Sequence, residues 1–369
     1  MKILYIGRFE LPDKEATANR VVANAKLLRD LGHDVTLAGW SDEVSGGWRE
    51  TTYFGFRCYE KKKAKSSYEK YKMFSDAAPE LSLLKAESYD LLIAYDFPAV
   101  ALKKLMKYCK KHSVRVVGDV SEWYTNSNKN PLFRVVRAYD SYLRMKVLHK
   151  RMDGLIVISR YLEDYYKEQT TVLVPPLVDM SDEKWTLDGN ESDDGITRLI
   201  YAGWPSRTKE RLDVIVDAVG KNAERTRLDV YGIDEAKYRS IYEYGGAISP
   251  SVCFHGRVSH KETVAAVKRA DFSVIIRESC RKNNAGFPSK LVESISCATP
   301  ALITDISNVR DYVGDGTNGY IVSVEGFEED LLRVLNEKGS VVVKRDAFDY
   351  RGHMESVGAF LALVCSTNP

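Results

Sequence analysis

The chain has 369 residues, 44% of them hydrophobic and 29% charged, which is the profile of a soluble globular protein too long for one ordinary core. Its net charge of +2 hides an imbalance: residues 1–180 hold 30 Lys+Arg against 23 Asp+Glu, or +7, and the remainder holds 24 against 29, or −5. Six scattered cysteines with no CxxC pair, six histidines with no paired-ligand spacing, and no apolar run of transmembrane or signal-peptide length argue against a zinc framework, a disulfide scaffold and a membrane span, and favour a reducing, cytoplasmic compartment.

In chain order, KILYIG at 2–7 reads as a first strand, followed by the polar loop 12–20 and a helix carrying Val21, Val22, Ala25, Leu27 and Leu28 at helical spacing, which Gly32 ends. DVTLAGW at 34–40 is the next strand, so the chain opens as a β-loop-α-β unit of a parallel sheet. The series continues with YDLLIAYD at 89–96, a Lys-rich helix at 98–112 and VRVVGDV at 114–120. A basic amphipathic helix at about 131–151, DGLIVIS at 153–159 and TVLVPPLVD complete it. Residues 181–196 are acidic and turn-rich and read as a linker. A second alternating series then runs from TRLIYAGW to GYIVSV. The simplest solution is α/β: two Rossmann-like, doubly wound parallel-sheet domains over 1–180 and 197–344, facing a cleft, with a last helix over 345–369 that can cross back to the first domain.

Three loops following strands in the second half carry chemistry. GWPSRTKER at 203–211 brings Arg207 and Lys209 to a helix start, the donor set a diphosphate needs, although a solvated basic turn looks the same. FHGRVSHKE at 254–262 offers Arg257 and Val258 beside Gly256, or is an ordinary βα turn. In the third, Arg277 precedes NNAGFPSKLVES, in which Asn283, Asn284, Gly286, Phe287, Pro288, Ser289 and Lys290 shape a loop onto a helix. Glu293, one turn inside that helix, is placed either to accept ribose hydroxyls or to stand in solvent.

Taken together, the order G-x-x-x-R-x-K, then HG-R-V, then G-F-P-S-K-L-V-E and C-A-T-P-A-L-I-T-D resembles the donor-binding half of glycosyltransferase family 4, and the resemblance extends over nearly the whole chain. It implies the GT-B fold and retaining transfer from a nucleotide sugar, UDP-linked, to a glycan or lipid-linked saccharide of the surface-polysaccharide type. It assigns Arg207 and Lys209 to the diphosphate, Glu293 to the ribose, and the amides of Gly286, Phe287 and Pro288 to the sugar or phosphate. Two departures stand out. Ala285 occupies the place of the first acid of the family's E-x7-E element, leaving Asn283, Asn284 or Lys290 for the sugar. Where the family often has a histidine, this chain reads GDVSEWY, so that Asp119 and Glu122 are the candidate catalytic acids and Trp123 and Tyr124 a stacking platform. Asp96 is another strand-end acid, and Asn19 and Arg20 end the first loop, within reach of acceptor or phosphate.

No cofactor is expected, and Arg and Lys would stand in for a metal at the leaving diphosphate. The basic, aromatic-laced first half fits an anionic membrane surface; nucleic acid lacks any accompanying motif. A non-catalytic binding member and a nucleotide-sugar epimerase stay open as alternatives. A dinucleotide enzyme is disfavoured by the lack of GxGxxG after the first strand.

Overall fold

The computed structural model describes residues 1–12, 14–123, 130–187, 194–207, 209–337 and 341–366. Tyr124, part of the expected stacking platform, and residues 188–193 of the expected linker lie outside them. The first half contains β1 (Lys2–Glu10), α1 (Ala16–Asp30), β2 (Asp34–Ser41), β3 (Trp48–Tyr53), β4 (Phe56–Lys62), α2 (Ser67–Lys72), α3 (Ala78–Ala86) and β5 (Leu91–Tyr95). It continues with α4 (Ala99–Lys111), β6 (Arg115–Val120), α5 (Pro131–Leu143), β7 (Gly154–Val157), α6 (Arg160–Tyr165) and β8 (Thr171–Leu173). The second half contains β9 (Thr197–Ala202), α7 (Leu212–Lys221), β10 (Thr226–Tyr231), α8 (Glu235–Tyr242), β11 (Val252–Gly256), α9 (His260–Arg269) and β12 (Phe272–Ile275). After it come α10 (Arg281–Ala285), α11 (Ser289–Ser296), β13 (Ala301–Thr304), β14 (Gly319–Val322), α12 (Phe327–Asn336) and α13 (Met354–Ser366).

Two compact units result: Met1–Val178 with Tyr350–Pro369, and Asp179–Asp349. The first sheet has the order β3-β4-β2-β1-β5-β6-β7-β8, parallel throughout except for the β3–β4 hairpin. Its central strands are apolar runs because helices cover both faces; Ile3, Leu4, Tyr5 and Ile6 of β1 are all fully buried. The last helix belongs to this unit: Val357, Phe360, Leu361 and Val364 of α13 share the core of β1 and α1. The second sheet, β11-β10-β9-β12-β13-β14, is parallel throughout, and by rank its order is 3-2-1-4-5-6. Its strand order reverses between β9 and β12, and in such sheets ligands bind beyond the carboxyl ends at that point.

Two elements depart from the sequence reading. The segment 48–62 forms a hairpin whose two-residue turn, Phe54–Gly55, is left-handed at both positions (φ 54° and 80°). The helix expected over about 131–151 runs regularly only to Leu143, then widens into a π turn at Arg144–Leu148 and tightens at His149–Arg151.

Candidate functional site

At the switch point of the second sheet, the backbones leaving β9 and β10 nearly touch. Gly203 (φ +133°) and Gly232 (φ +107°) meet there, and a Cβ on Gly232 would lie 2.3 Å from the Gly203 carbonyl oxygen. A Cβ on Gly203 would lie 2.7 Å from Cε of Lys290, so the lysine stem lies directly against this turn. Beneath the turn, Glu210 is buried. Its Oε1 accepts from Arg277 Nη2 at 2.6 Å, and its Oε2 accepts from Lys290 Nζ at 2.9 Å and from the Tyr201 hydroxyl. Lys290 Nζ also sits 3.6 Å from the centre of the Tyr201 ring. Burial works against the Glu210 charge, but Lys290 and Arg277 more than reverse it and hold the carboxyl at about 2. Burial, opposed by Glu210, lowers Lys290 to about 8. One carboxylate therefore faces two cations, with Lys209 near enough to depress Lys290 further.

The other residues of these loops are distributed around that cluster. Arg207 is exposed and its guanidinium is 2.8 Å from Glu243. Trp204 is exposed between two cations, with Arg257 4.9 Å and Lys237 5.7 Å from its ring. Val258 is half-buried just before the capping box, Ser259 with Glu262, that starts α9. Helix α11 begins at Ser289, with Pro288 as its N-cap and no side-chain cap, so the first amides are left for another acceptor. Its Glu293 is half-buried and lies 2.9 Å from His260 Nε2.

Several expected ligand residues turn inward instead. Arg277 is spent on Glu210. Asn284 spans Ser279 and the amide of Ser307, tying two loops together. Asn283 donates to the Glu278 carbonyl and is buried, and Phe287 packs on Tyr312 and Phe348; Gly286 joins the two as the C-cap of α10. Ala285 is fully buried, so this position presents no side chain to a sugar.

In the first unit, Asp119 and Arg20 meet each other. Asp119 accepts from Arg20 Nη2 at 2.7 Å and Nε at 3.0 Å, from the Tyr5 hydroxyl, and from Asn24 at 3.4 Å. Arg20 also donates to the carbonyls of Val174 and Pro175, at 2.8 and 3.1 Å. Asp119 was expected as an open catalytic acid and Arg20 at an acceptor loop. Both are buried in one cluster that ties β6, α1 and the end of β8 together, and each meets the other's charge inside it. Asn19, one residue earlier, is exposed on the first turn of α1. Glu122 is exposed, and Trp123 packs edge-on against Tyr165.

Asp96, at the end of β5, is held differently. It is a non-glycine residue with φ +41°, 3% exposed. Its Oδ2 accepts from Ser121 and its carbonyl accepts from Arg144 at 3.0 Å, but Oδ1 has no hydrogen-bond partner among the described residues. Burial, offset in part by Arg144, raises its carboxyl to about 6. A strained, buried acid that titrates near neutrality is the kind of group functional sites hold.

Glu210 is invisible in the sequence, where it looks like part of a solvated TKER run; its cationic partners lie 67 and 80 residues away. Equally invisible is a surface trio of Asp229, Cys253 and His255, whose ligand atoms lie within 4.8 Å of one another across the β10–β11 pair.

Residues 197–337 match the family model described as glycosyl transferases group 1. No curated protein matches the chain. Among solved structures, sucrose-phosphate synthase from Thermosynechococcus elongatus aligns over 100% of both chains at 14% identity with a TM-score of 0.74. The lipopolysaccharide outer core galactosyltransferase WaaB aligns over 98% of this chain and 99% of its own, at 15% identity and a TM-score of 0.65. Anabaena HepE in complex with UDP-glucose aligns over 98% and 99%, at 14% and 0.63. The chain thus has the GT-B fold, and most of its second unit matches the group 1 glycosyltransferase model.

Proposed function

We propose that this glycosyltransferase moves a sugar from a UDP-linked donor to a hydroxyl of a glycan or lipid-linked saccharide in surface polysaccharide assembly, with retention at the anomeric carbon. The observation that carries the reading is the cation surplus around Glu210, set under the Gly203 turn where β9 and β12 diverge. Lys290, Lys209 and the opening amides of α11 converge there, as a diphosphate requires. Arg207 is free to turn toward the same anion, because its pair with Glu243 is exposed and such pairs are worth little. Glu293, oriented by His260, would take the ribose hydroxyls.

Preorganised cations would stabilise the leaving diphosphate, so neither metal nor cofactor is called for. In the first unit, Asp96 would receive the acceptor hydroxyl. HepE bound to UDP-glucose and the lipopolysaccharide galactosyltransferase WaaB support a sugar nucleotide donor and a surface-glycan acceptor. A place at the inner face of an anionic membrane fits such an acceptor. Among the described residues no helix is long and apolar enough to cross a membrane.

The test is calorimetric binding of UDP, GDP and their sugar conjugates to the parent protein and to Lys209→Ala and Glu293→Ala. One nucleotide should bind, and each variant should weaken it by about tenfold or more. Equal binding by both variants sinks the assignment. The buried Ala285 favours a second reading, a binding protein without turnover. Slow hydrolysis of the donor by the parent would discard it.

A further inference from the structure

Helix α5 turns an apolar stripe outward. Leu132, Val135, Tyr139 and Tyr142 are between 57% and 66% exposed. At the angular step of an α-helix they fall within an arc of about 80°. The helix needs none of them for its own packing. Asn130 caps it by accepting from the Phe133 amide at 3.2 Å, and Phe133 packs on Tyr71 and Phe74. On the inner side Asp140 accepts from the Ala99 amide at 2.6 Å, which fixes the start of α4.

The exposed charge on α5, on the turns after it and on α4 has one sign. Arg134, Lys146, Lys150 and Arg151 are exposed on or after α5, and Lys146 lies 5.8 Å from the Tyr142 ring. Helix α4 packs beside α5 and exposes Lys103, Lys104, Lys107, Lys110 and Lys111. Across Ala99–Lys111 and Pro131–Arg151 the one acid is Asp140, and it is buried. On α2 and the turn after it, Glu69 and Asp76 are matched by Lys62 and Lys72.

We infer that α5 is the membrane-docking face of this protein, lying in the plane of an anionic bilayer with Leu132, Val135, Tyr139 and Tyr142 in the headgroup boundary and the flanking cations on lipid phosphates. Apolar side chains in line, aromatics at the C-terminal end of the stripe and a cationic border on α4 and α5 are what such an interface selects. The inner end of the same element reaches the strand-end acid, since Arg144 at the turn after α5 donates to the Asp96 carbonyl at 3.0 Å. Docking would thus bring the Asp96 end of β5 close to the bilayer surface. This inference deepens the lipid-linked acceptor in the reading above and names its surface.

Sedimentation with phosphatidylcholine vesicles, with and without phosphatidylglycerol, tests it. The full chain should bind the anionic vesicles at least about tenfold more tightly, and added salt should weaken that binding. Val135→Asp with Tyr139→Asp should abolish it, and Val135→Ser with Tyr139→Ser should weaken it, while both pairs keep the parent's circular dichroism and nucleotide binding. Equal affinity for neutral and anionic vesicles overturns the inference. So does full binding by the aspartate pair, or binding to a polynucleotide but not to vesicles. Nucleotide calorimetry on the same samples keeps this outcome separate from the transferase reading, because neither result depends on the other.

Discussion

Asp119 in the first unit and Glu210 in the second are both buried carboxylates bound by an arginine and by the tyrosine of a central strand, Tyr5 of β1 or Tyr201 of β9. They differ in what is left over. Asp119 meets one cation, and Arg20 spends its remaining donors on the carbonyls of Val174 and Pro175, so charge and hydrogen bonds both close. Glu210 meets two cations, Arg277 and Lys290, so one positive charge stays unmatched beside the Gly203 turn. The first arrangement ties elements together, whereas the second, on the function proposed above, keeps a charge with which to receive an anion.

The largest effects should come from breaking each cluster. Asp119→Ala leaves Arg20 buried and uncompensated, and should cost about 3–5 kcal/mol in urea denaturation. Replacing both partners with apolar residues of similar size should restore most of that loss. Lys290→Met should cost less, because it leaves Glu210 and Arg277 paired one to one. Its effect should appear in nucleotide binding, weakened by about tenfold or more. If Lys290→Met were as destabilising as Asp119→Ala and bound nucleotide normally, the distinction between the two clusters would collapse.

An intermediate effect concerns Asp96, which belongs to neither class. Its carboxyl is raised to about 6 from an ordinary 3.8, chiefly by burial. The native state therefore holds this proton more tightly than the unfolded chain does. The stability that goes with it is complete below the unfolded value and is lost as pH rises through about 6. Asp96→Asn keeps the shape, tolerates the left-handed backbone and removes the buried charge. It should be more stable than the parent by about 3 kcal/mol at about pH 7.5, and by no more than about 0.5 kcal/mol at about pH 4. Transfer activity should fall at the same time. Equal urea midpoints at the higher pH would mean that Asp96 is solvated and not strained into place.

The parts of this picture differ in how legible they were. The sheets were readable because parallel strands buried on both faces are short apolar runs, such as KILYIG and TRLIYA, punctuated by polar loops. The hairpin β3–β4 escaped because the edge strand β3 buries no side chain fully and its turn carries a left-handed Phe54. At the candidate site, the helix start after Gly-Phe-Pro was legible, since proline and glycine act locally. What the cations there do was not. Arg277 and Lys290 read as ligands, and only the fold shows one spent on Glu210 and the other left in surplus. Likewise nothing near Arg20 announces Asp119, 99 residues away. Local chemistry marks where a loop turns, but charge balance in a core is a property of contacts.

The smallest effect is also the one that tests the surplus charge most directly. Lys290 is lowered to about 8, first by burial and then by Arg277, with Glu210 pulling the other way. At about pH 8 it is therefore about half protonated in the free protein. A diphosphate arriving beside it favours the charged form, so binding should draw protons from solution. A nucleotide sugar is the right probe, because its esterified diphosphate carries no group of its own that titrates there. The binding enthalpy, measured at about pH 8 in buffers of different ionisation enthalpy, should show uptake of up to about half a proton. The uptake should fade toward about pH 6, where Lys290 is already charged, and it should be absent in Lys290→Met. A flat dependence at the higher pH would mean that the diphosphate sits away from Lys290, and the unmatched cation over Glu210 would then be an internal strut and not part of the binding site.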